Sequence, residues 1–156
     1  MRSKNCFRLL PLVVATALFA QMAPQLKVES QPTVKVKRGT LSTVTLKVSL
    51  PPGFHANSAT PTDPNLIPLV LKWTGGPLTG AAITYPKPQL EQYSFTAGKS
   101  ISVVTGDFSF VTKFQVPASA AQGPATETGT IRYQACNDRM CFPPKTVNVN
   151  LTVDVE

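Results

Sequence analysis

The sequence predicts an all-β protein, a two-sheet β-sandwich, and three observations carry that prediction. Past residue 23 the apolar residues recur with a period of two rather than 3.6. Fifteen prolines and nine glycines punctuate the chain and fall mostly between the alternating runs. No stretch of 12 residues in this part keeps a helical apolar stripe free of Pro or Gly. Eight or nine short strands with frequent turn signals bury their apolar faces best as two packed sheets.

In chain order, Leu26 to Glu29 and Thr33 to Lys37 give weak strand signals. The first strong one follows, where Val44, Leu46, Val48 and Leu50 alternate with Thr43, Thr45, Lys47 and Ser49. Pro51-Pro52-Gly53 ends it and opens an irregular stretch to Pro68. Ile67 to Trp73 and Ala81 to Tyr85 read as strands on either side of Gly75-Gly76-Pro77. A second irregular stretch, Pro86 to Lys99, leads to a strand at Ile101 to Val104. Phe108, Phe110, Phe114 and Val116 then alternate with Ser109, Lys113 and Gln115. Thr128 to Ala135 is a weaker strand, and the last is carried by Val147, Val149, Leu151 and Val153. Irregular stretches as long as the two named here are often functional in a compact domain.

The first residues stand apart. Arg2, Lys4 and Arg8 precede twelve uncharged residues, Leu9 to Ala20. A membrane-spanning helix needs about 20 apolar residues, so the run fits a secretory signal peptide over residues 1–20, cut between Ala17 and Ala23. One domain over residues 24–156 is expected, in the periplasm and soluble once the leader is removed. Of 15 basic and 8 acidic residues the leader takes three basic ones, leaving a net charge of +4. That balance is no nucleic-acid footprint. The Lys35, Lys37 and Arg38 cluster alternates with valines and reads as a solvated strand face. Cys6 leaves with the leader, and two cysteines in an oxidising compartment imply one disulfide.

That pair lies in IRYQACNDRMCFPPK, residues 131–145. Ile131, Tyr133 and Ala135 share one strand face, and Arg132, Gln134 and Cys136 the other. The first set looks inward, so Cys136 leaves the main core for a surface or a loop-covered pocket. Four residues separate Cys136 from Cys141, and bridged α-carbons lie about 4.4–6.8 Å apart, so the chain must turn back. Asn137 and Asp138 are good turn formers, and the economical picture is a hairpin with a cysteine on each arm. A ring of about six residues stabilises by roughly 2 kcal/mol, against nearly 5 for one of about 100. The pair is a poor staple, yet from spacing alone a redox-active and a structural disulfide stand equal.

YQACNDRMCFPP resembles the active-site stretch of the N-terminal periplasmic domain of the thiol:disulfide interchange protein DsbD. The matching residues are Tyr133, Gln134, Cys136, Cys141, Phe142, Pro143 and Pro144. PPGFHANSATPTDPNLIP resembles an early segment of the same family through Gly53, Phe54, His55, Asn57, Asp63, Pro64, Leu66, Ile67 and Pro68. YSFTAGKSISVVTGDFSF resembles the segment that holds the family's cap loop. The resemblance implies an immunoglobulin-like sandwich that takes electrons from a thioredoxin-like donor and passes them to periplasmic oxidoreductases through Cys136 and Cys141. Of the two, Cys141 is favoured by analogy as the cysteine that forms the mixed disulfide. The resemblance further implies that Phe95 covers the cysteines; its irregular loop, Gln89 to Lys99, also carries Tyr93, and its Ala97-Gly98 reads as a hinge because glycine tolerates backbone angles other residues avoid. His55 and Asn57 fall near positions that line the family's cysteine pocket. Full-length relatives continue into a membrane-spanning electron carrier and a thioredoxin-like domain. This chain ends at Glu156, so a separate membrane electron carrier and CxxC-type thioredoxin-like partners are expected. A monomer without cofactor is expected.

Two other readings compete. One is an immunoglobulin-like binding or scaffold module with a structural disulfide. The other is a Cu(I) carrier using Cys136, Cys141, Met140 and His55, soft ligands that no second cluster supports. Arg132 and Arg139 would favour a thiolate and Asp138 oppose it, though all three also read as surface charge. No nucleotide-binding glycine loop, Ser-His-Asp arrangement or paired carboxylates are recognisable. Asn150-Leu151-Thr152 matches a glycosylation sequon inside an expected strand.

Overall fold

A computed structural model describes residues 24–156; the expected signal peptide and Cys6 lie outside them. The strands are β1 (Lys27–Val28), β2 (Val34–Val36), β3 (Leu41–Ser49), β4 (His55–Asn57), β5 (Val70–Gly75) and β6 (Thr79–Thr84). They continue as β7 (Gln89–Glu91), β8 (Ile101–Thr105), β9 (Asp107–Gln115), β10 (Gly123–Tyr133), β11 (Ala135–Cys136) and β12 (Lys145–Val155). The helical content of the described residues is a single 3-10 turn, Ser94–Thr96. Among them no helix is long and apolar enough to cross a membrane.

Two four-stranded sheets, ordered β1-β3-β9-β6 and β2-β12-β10-β5, form the expected sandwich. The alternation explains which faces meet. From the first sheet, β3 turns Val44, Leu46 and Val48 inward and β9 turns Phe110 and Phe114 inward. From the second, Ile131 and Tyr133 of β10 and Val149, Leu151 and Val153 of β12 close on them. Each fully buried Leu or Phe here contributes roughly 1.5–3 kcal/mol. Thr112 is polar at a core position of β9, and its hydroxyl accepts a hydrogen bond from Trp73 Nε1 at 3.2 Å. At Gly129 the β5 backbone comes so close that a Cβ would sit 2.8 Å from the Lys72 carbonyl oxygen. Lys35 of the basic cluster is exposed and pairs with Glu156 at 2.6 Å.

A third four-stranded sheet, ordered β11-β4-β8-β7, was not foreseen. Its strands β4 and β7 have three residues each, too short to register a period of two. Its fourth member exists because the expected Thr128–Ala135 strand breaks at Gln134. Before the break the chain pairs in the second sheet; after it, Ala135 and Cys136 pair with Ala56 and His55 of β4. One face of this sheet joins the main core through Ala56, Val104 and Ala135. By alternation, His55, Asn57 and Cys136 share the opposite face.

Candidate functional site

The cysteines form a disulfide across a tight hairpin, as the spacing suggested. Phe142 N donates to the Ala135 carbonyl at 2.8 Å and Asn137 N to the Met140 carbonyl at 2.9 Å. The two cysteines thus face each other at a non-hydrogen-bonded position, where opposed α-carbons come closest. Here they are 3.9 Å apart. Asn137 Oδ1 closes the turn by accepting from the backbone N–H groups of Arg139 and Met140, both at 2.9 Å. Asp138, Arg139 and Met140 at the tip are exposed. The two arms differ in access, since Cys136 is fully buried and Cys141 only partly so.

A network anchored on Gln134 sets the Cys141 arm. Its Oε1 accepts from Asn57 Nδ2 at 3.1 Å and from Ile67 N at 3.3 Å, while its Nε2 donates to the Phe142 carbonyl at 3.2 Å. Asn57 Nδ2 also reaches the Ile67 carbonyl at 3.0 Å. Phe142 packs its ring 6.0 Å from Phe54. The residues Asn57, Gln134 and Phe142 are thereby brought together around the hairpin. Tyr133 is not among them. It belongs to the main core, where its hydroxyl accepts from Leu26 N at 2.9 Å and bonds the Pro24 carbonyl at 3.3 Å.

His55 is the cross-strand neighbour of Cys136 and is buried. Burial pushes its pKa down from 6.5 to about 4, so the imidazole is neutral near pH 7. Tyr93 stacks on it with ring centres 4.0 Å apart. Phe95 lies parallel to both, 5.7 Å from Tyr93 and 6.4 Å from His55, and keeps 36 % of its surface exposed. Tyr93, rather than Phe95, is therefore the ring directly on His55. Burial, with Glu91 nearby as a lesser cause, raises the Tyr93 pKa.

The segment bearing these rings is tied to the hairpin by a contact that the sequence did not signal. Ser94 Oγ donates to the Asp138 carbonyl at 2.6 Å. Ser94 is one more hydroxyl in a polar loop, and nothing in its local pattern singles it out. After the 3-10 turn the chain reverses through Ala97 (φ 50°) and Gly98 (φ 79°), the pair read as a hinge. Ala97 is the one non-glycine at positive φ among the described residues. No group of three or more His, Cys, Asp or Glu side chains that would hold a metal ion occurs among them.

A disulfide with one fully buried and one partly exposed cysteine has a layout suited to attack at a single position. Two solved structures align with this chain at low identity. The N-terminal domain of DsbD from Neisseria meningitidis in its reduced form aligns over 70% of this chain and 76% of that one, with 15% identity and a TM-score of 0.43. AggA, the major subunit of aggregative adherence fimbriae type I from Escherichia coli, aligns over 85% and 94%, with 11% identity and a TM-score of 0.41. No curated protein matches the chain significantly. The family model for the N-terminal part of the thiol:disulfide interchange protein DsbD matches residues 23–153, nearly the whole described chain. The protein, an immunoglobulin-like β-sandwich carrying a cysteine pair, belongs to that family of thiol–disulfide interchange domains.

Proposed function

We propose that this domain relays electrons in the periplasm, taking them from a thioredoxin-like CxxC donor and passing them to periplasmic oxidoreductases through Cys136 and Cys141. The observation that carries this reading is the unequal access of the two cysteines in one small hairpin. A donor thiolate attacks the Cys141 sulfur, the Cys136–Cys141 bond breaks, and the electron pair leaves on Cys136. A second donor thiol then resolves the mixed disulfide and leaves the domain reduced. Running the same steps backwards delivers two electrons to an oxidised acceptor.

The 3-10 turn serves as the cap in this reading. Tyr93 and Phe95 cover the His55 side of the pocket, and the Ser94 tie to Asp138 holds the turn on the hairpin. A docking partner displaces the turn at Ala97-Gly98. A ring over the sulfurs blocks the line of attack at little energetic cost, because sulfur–aromatic contacts are mildly favourable.

The test is trapping in periplasmic extract. Cys136→Ser should hold a mixed disulfide between Cys141 and a thioredoxin-like CxxC protein, and Cys141→Ser should hold none. If neither variant traps such a partner, the relay reading fails. A reduction potential below about −300 mV would instead mark the disulfide as structural, as in a scaffold module.

A further inference from the structure

Among the buried polar side-chain atoms of the described residues, two lack a hydrogen-bond partner, His55 Nε2 and Asn57 Oδ1. Asn57 still makes two bonds through its amide nitrogen. The His55 nitrogen is the more telling orphan because of what lies opposite it. His55 pairs in antiparallel register with Cys136. Opposed residues of such a pair project from the same face with Cβ atoms about 4.5–5.5 Å apart, so the register places the side chains of His55 and Cys136 side by side on one face of the sheet. The Tyr93 stack at 4.0 Å fixes the plane of the ring.

Leaving a buried nitrogen unpaired forfeits its hydration with no hydrogen bond in return. A disulfide sulfur carries no proton and is a weak acceptor. On reduction that sulfur becomes a thiol or a thiolate, and the orphan then has a partner. The site is thus completed in one redox state only. Cys136 also needs such a partner. It is fully buried, and a thiolate formed there without a donor or a countercharge is costly.

We propose that His55 Nε2 exchanges a proton with Cys136 during thiol–disulfide exchange; the inference rests on the relay reading above and names the acid–base group of that site. In the resolving step Cys141 is bonded to a partner sulfur. The Cys136 sulfur attacks Cys141, and its proton passes to His55 Nε2. The Cys136–Cys141 bond forms, the bond from Cys141 to the partner breaks, and the partner leaves with the electron pair as a thiolate. The partner is reduced and the cysteine pair oxidised. In reverse, an incoming thiolate attacks Cys141, Cys136 leaves with the electron pair, and a proton from the solvent of the adjoining cleft reaches it through His55 Nε2. In the resting disulfide no charge supports an imidazolium and burial keeps the ring neutral; a nascent Cys136 thiolate supplies the missing charge.

The proton has a way out. His55 lines an open cleft of about 510 Å³ together with Phe54, Tyr93, Thr105 and Asp138. Of the titratable groups beside the ring, Tyr93 is neutral near pH 7, Glu91 acts on Tyr93, and Asp138 lines the same cleft, while the lowered pKa of the imidazole comes from burial.

The experiment needs no partner protein. The full mature chain is reduced and its Cys141 coupled to thionitrobenzoate, and release of the coloured thiol by Cys136 is followed against pH. His55→Phe keeps an aromatic ring beneath Tyr93 and removes the nitrogen. Wild type is expected to release the thiol with a rate that varies little between about pH 6 and 8. His55→Phe is expected to be slower by ~10²-fold at pH 7 and to gain about tenfold per pH unit, as an unassisted thiol does. A folded His55→Phe with the wild-type rate and pH profile overturns the inference and leaves the relay reading standing. A wild type that never releases the thiol overturns the relay reading itself. Should His55→Phe not fold, the His55 imidazole of the wild type is titrated by NMR in both redox states. Its pKa is expected to rise on reduction, and an identical value in the two states overturns the inference.

Discussion

Glu127 and His55 are both buried titratable side chains of this sandwich, and their surroundings differ in a way that separates structure from chemistry. Glu127 lies in β10, nine residues before Cys136, beside Trp73, Leu78 and Phe114. Its Oε2 accepts a hydrogen bond from Leu78 N at 3.0 Å and so pins the turn between β5 and β6 to the second sheet. His55 is just as buried, yet its Nε2 has no partner. Around it the hydrogen bonds go elsewhere, to Gln134 and to the Asp138 carbonyl. A group that only holds the fold together has its partner in the resting state. A group whose partner is the reacting sulfur lacks one until the sulfur reacts.

The largest effect is expected where the cysteine end does resemble the Glu127 end, in the Gln134 network. Gln134→Ala leaves Ile67 N and the Phe142 carbonyl without these partners and should cost about 2–3 kcal/mol in urea unfolding. It should also speed reduction of the disulfide by dithiothreitol, because the Cys141 arm loses its anchor. A cost within 0.5 kcal/mol (about the error of such measurements) would show that the network does not hold the hairpin.

The next contrast is in pH. His55 has a folded pKa of about 4 against 6.5 when unfolded, so the unfolded chain takes up the proton first. The contribution to stability is complete above pH 6.5 and is lost as pH falls to about 4. On the order of 3 kcal/mol should disappear across that window, and His55→Phe should flatten it. Glu127 has the opposite sign. Burial raises its pKa above 4.5, with the Leu78 hydrogen bond as a partial offset. Its ionisation therefore destabilises the fold as pH rises through the folded value. Glu127→Gln keeps an acceptor for Leu78 N and should stabilise the protein at pH 7. The gain should vanish below pH 4.5, where the carboxyl is protonated in both states. Thermal or urea unfolding across pH checks both; slopes of the same sign for the two residues would break the comparison.

The smallest effect concerns the cap. Ala97 at φ 50° carries a left-handed penalty of about 1–2 kcal/mol that glycine does not. Glycine also loosens the unfolded chain, which returns about 0.4–1 kcal/mol of that gain. Ala97→Gly should therefore stabilise by about 0.5 kcal/mol and slow the reaction with dithiothreitol slightly. A destabilised variant would show that the turn is not strained at Ala97.

The sequence by itself determined the strands that build the sandwich and the hairpin that carries the disulfide. Val44 to Leu50, Phe108 to Val116 and Val147 to Val153 announce themselves because a half-buried strand repeats every two residues. The cysteine hairpin was legible for a similarly local reason, since Asn137 and Asp138 turn the chain within the four residues between Cys136 and Cys141. Their access was legible in part. Alternation put Cys136 off the core face, and Ala135 does lie in the core while Cys136 does not. Tertiary structure decided what covers that second face. β4 is too short for its period to be read, and its pairing with β11 joins residues 55 and 136. Ser94 meets Asp138 across 44 positions of chain. Tyr133 and Gln134 are adjacent in the sequence, yet one enters the main core and the other ties down the hairpin, because the chain changes sheets between them and Ala135. Local pattern records whether a residue faces inward; it carries no record of which distant residue it will meet there, since that contact exists only once the sheets have closed.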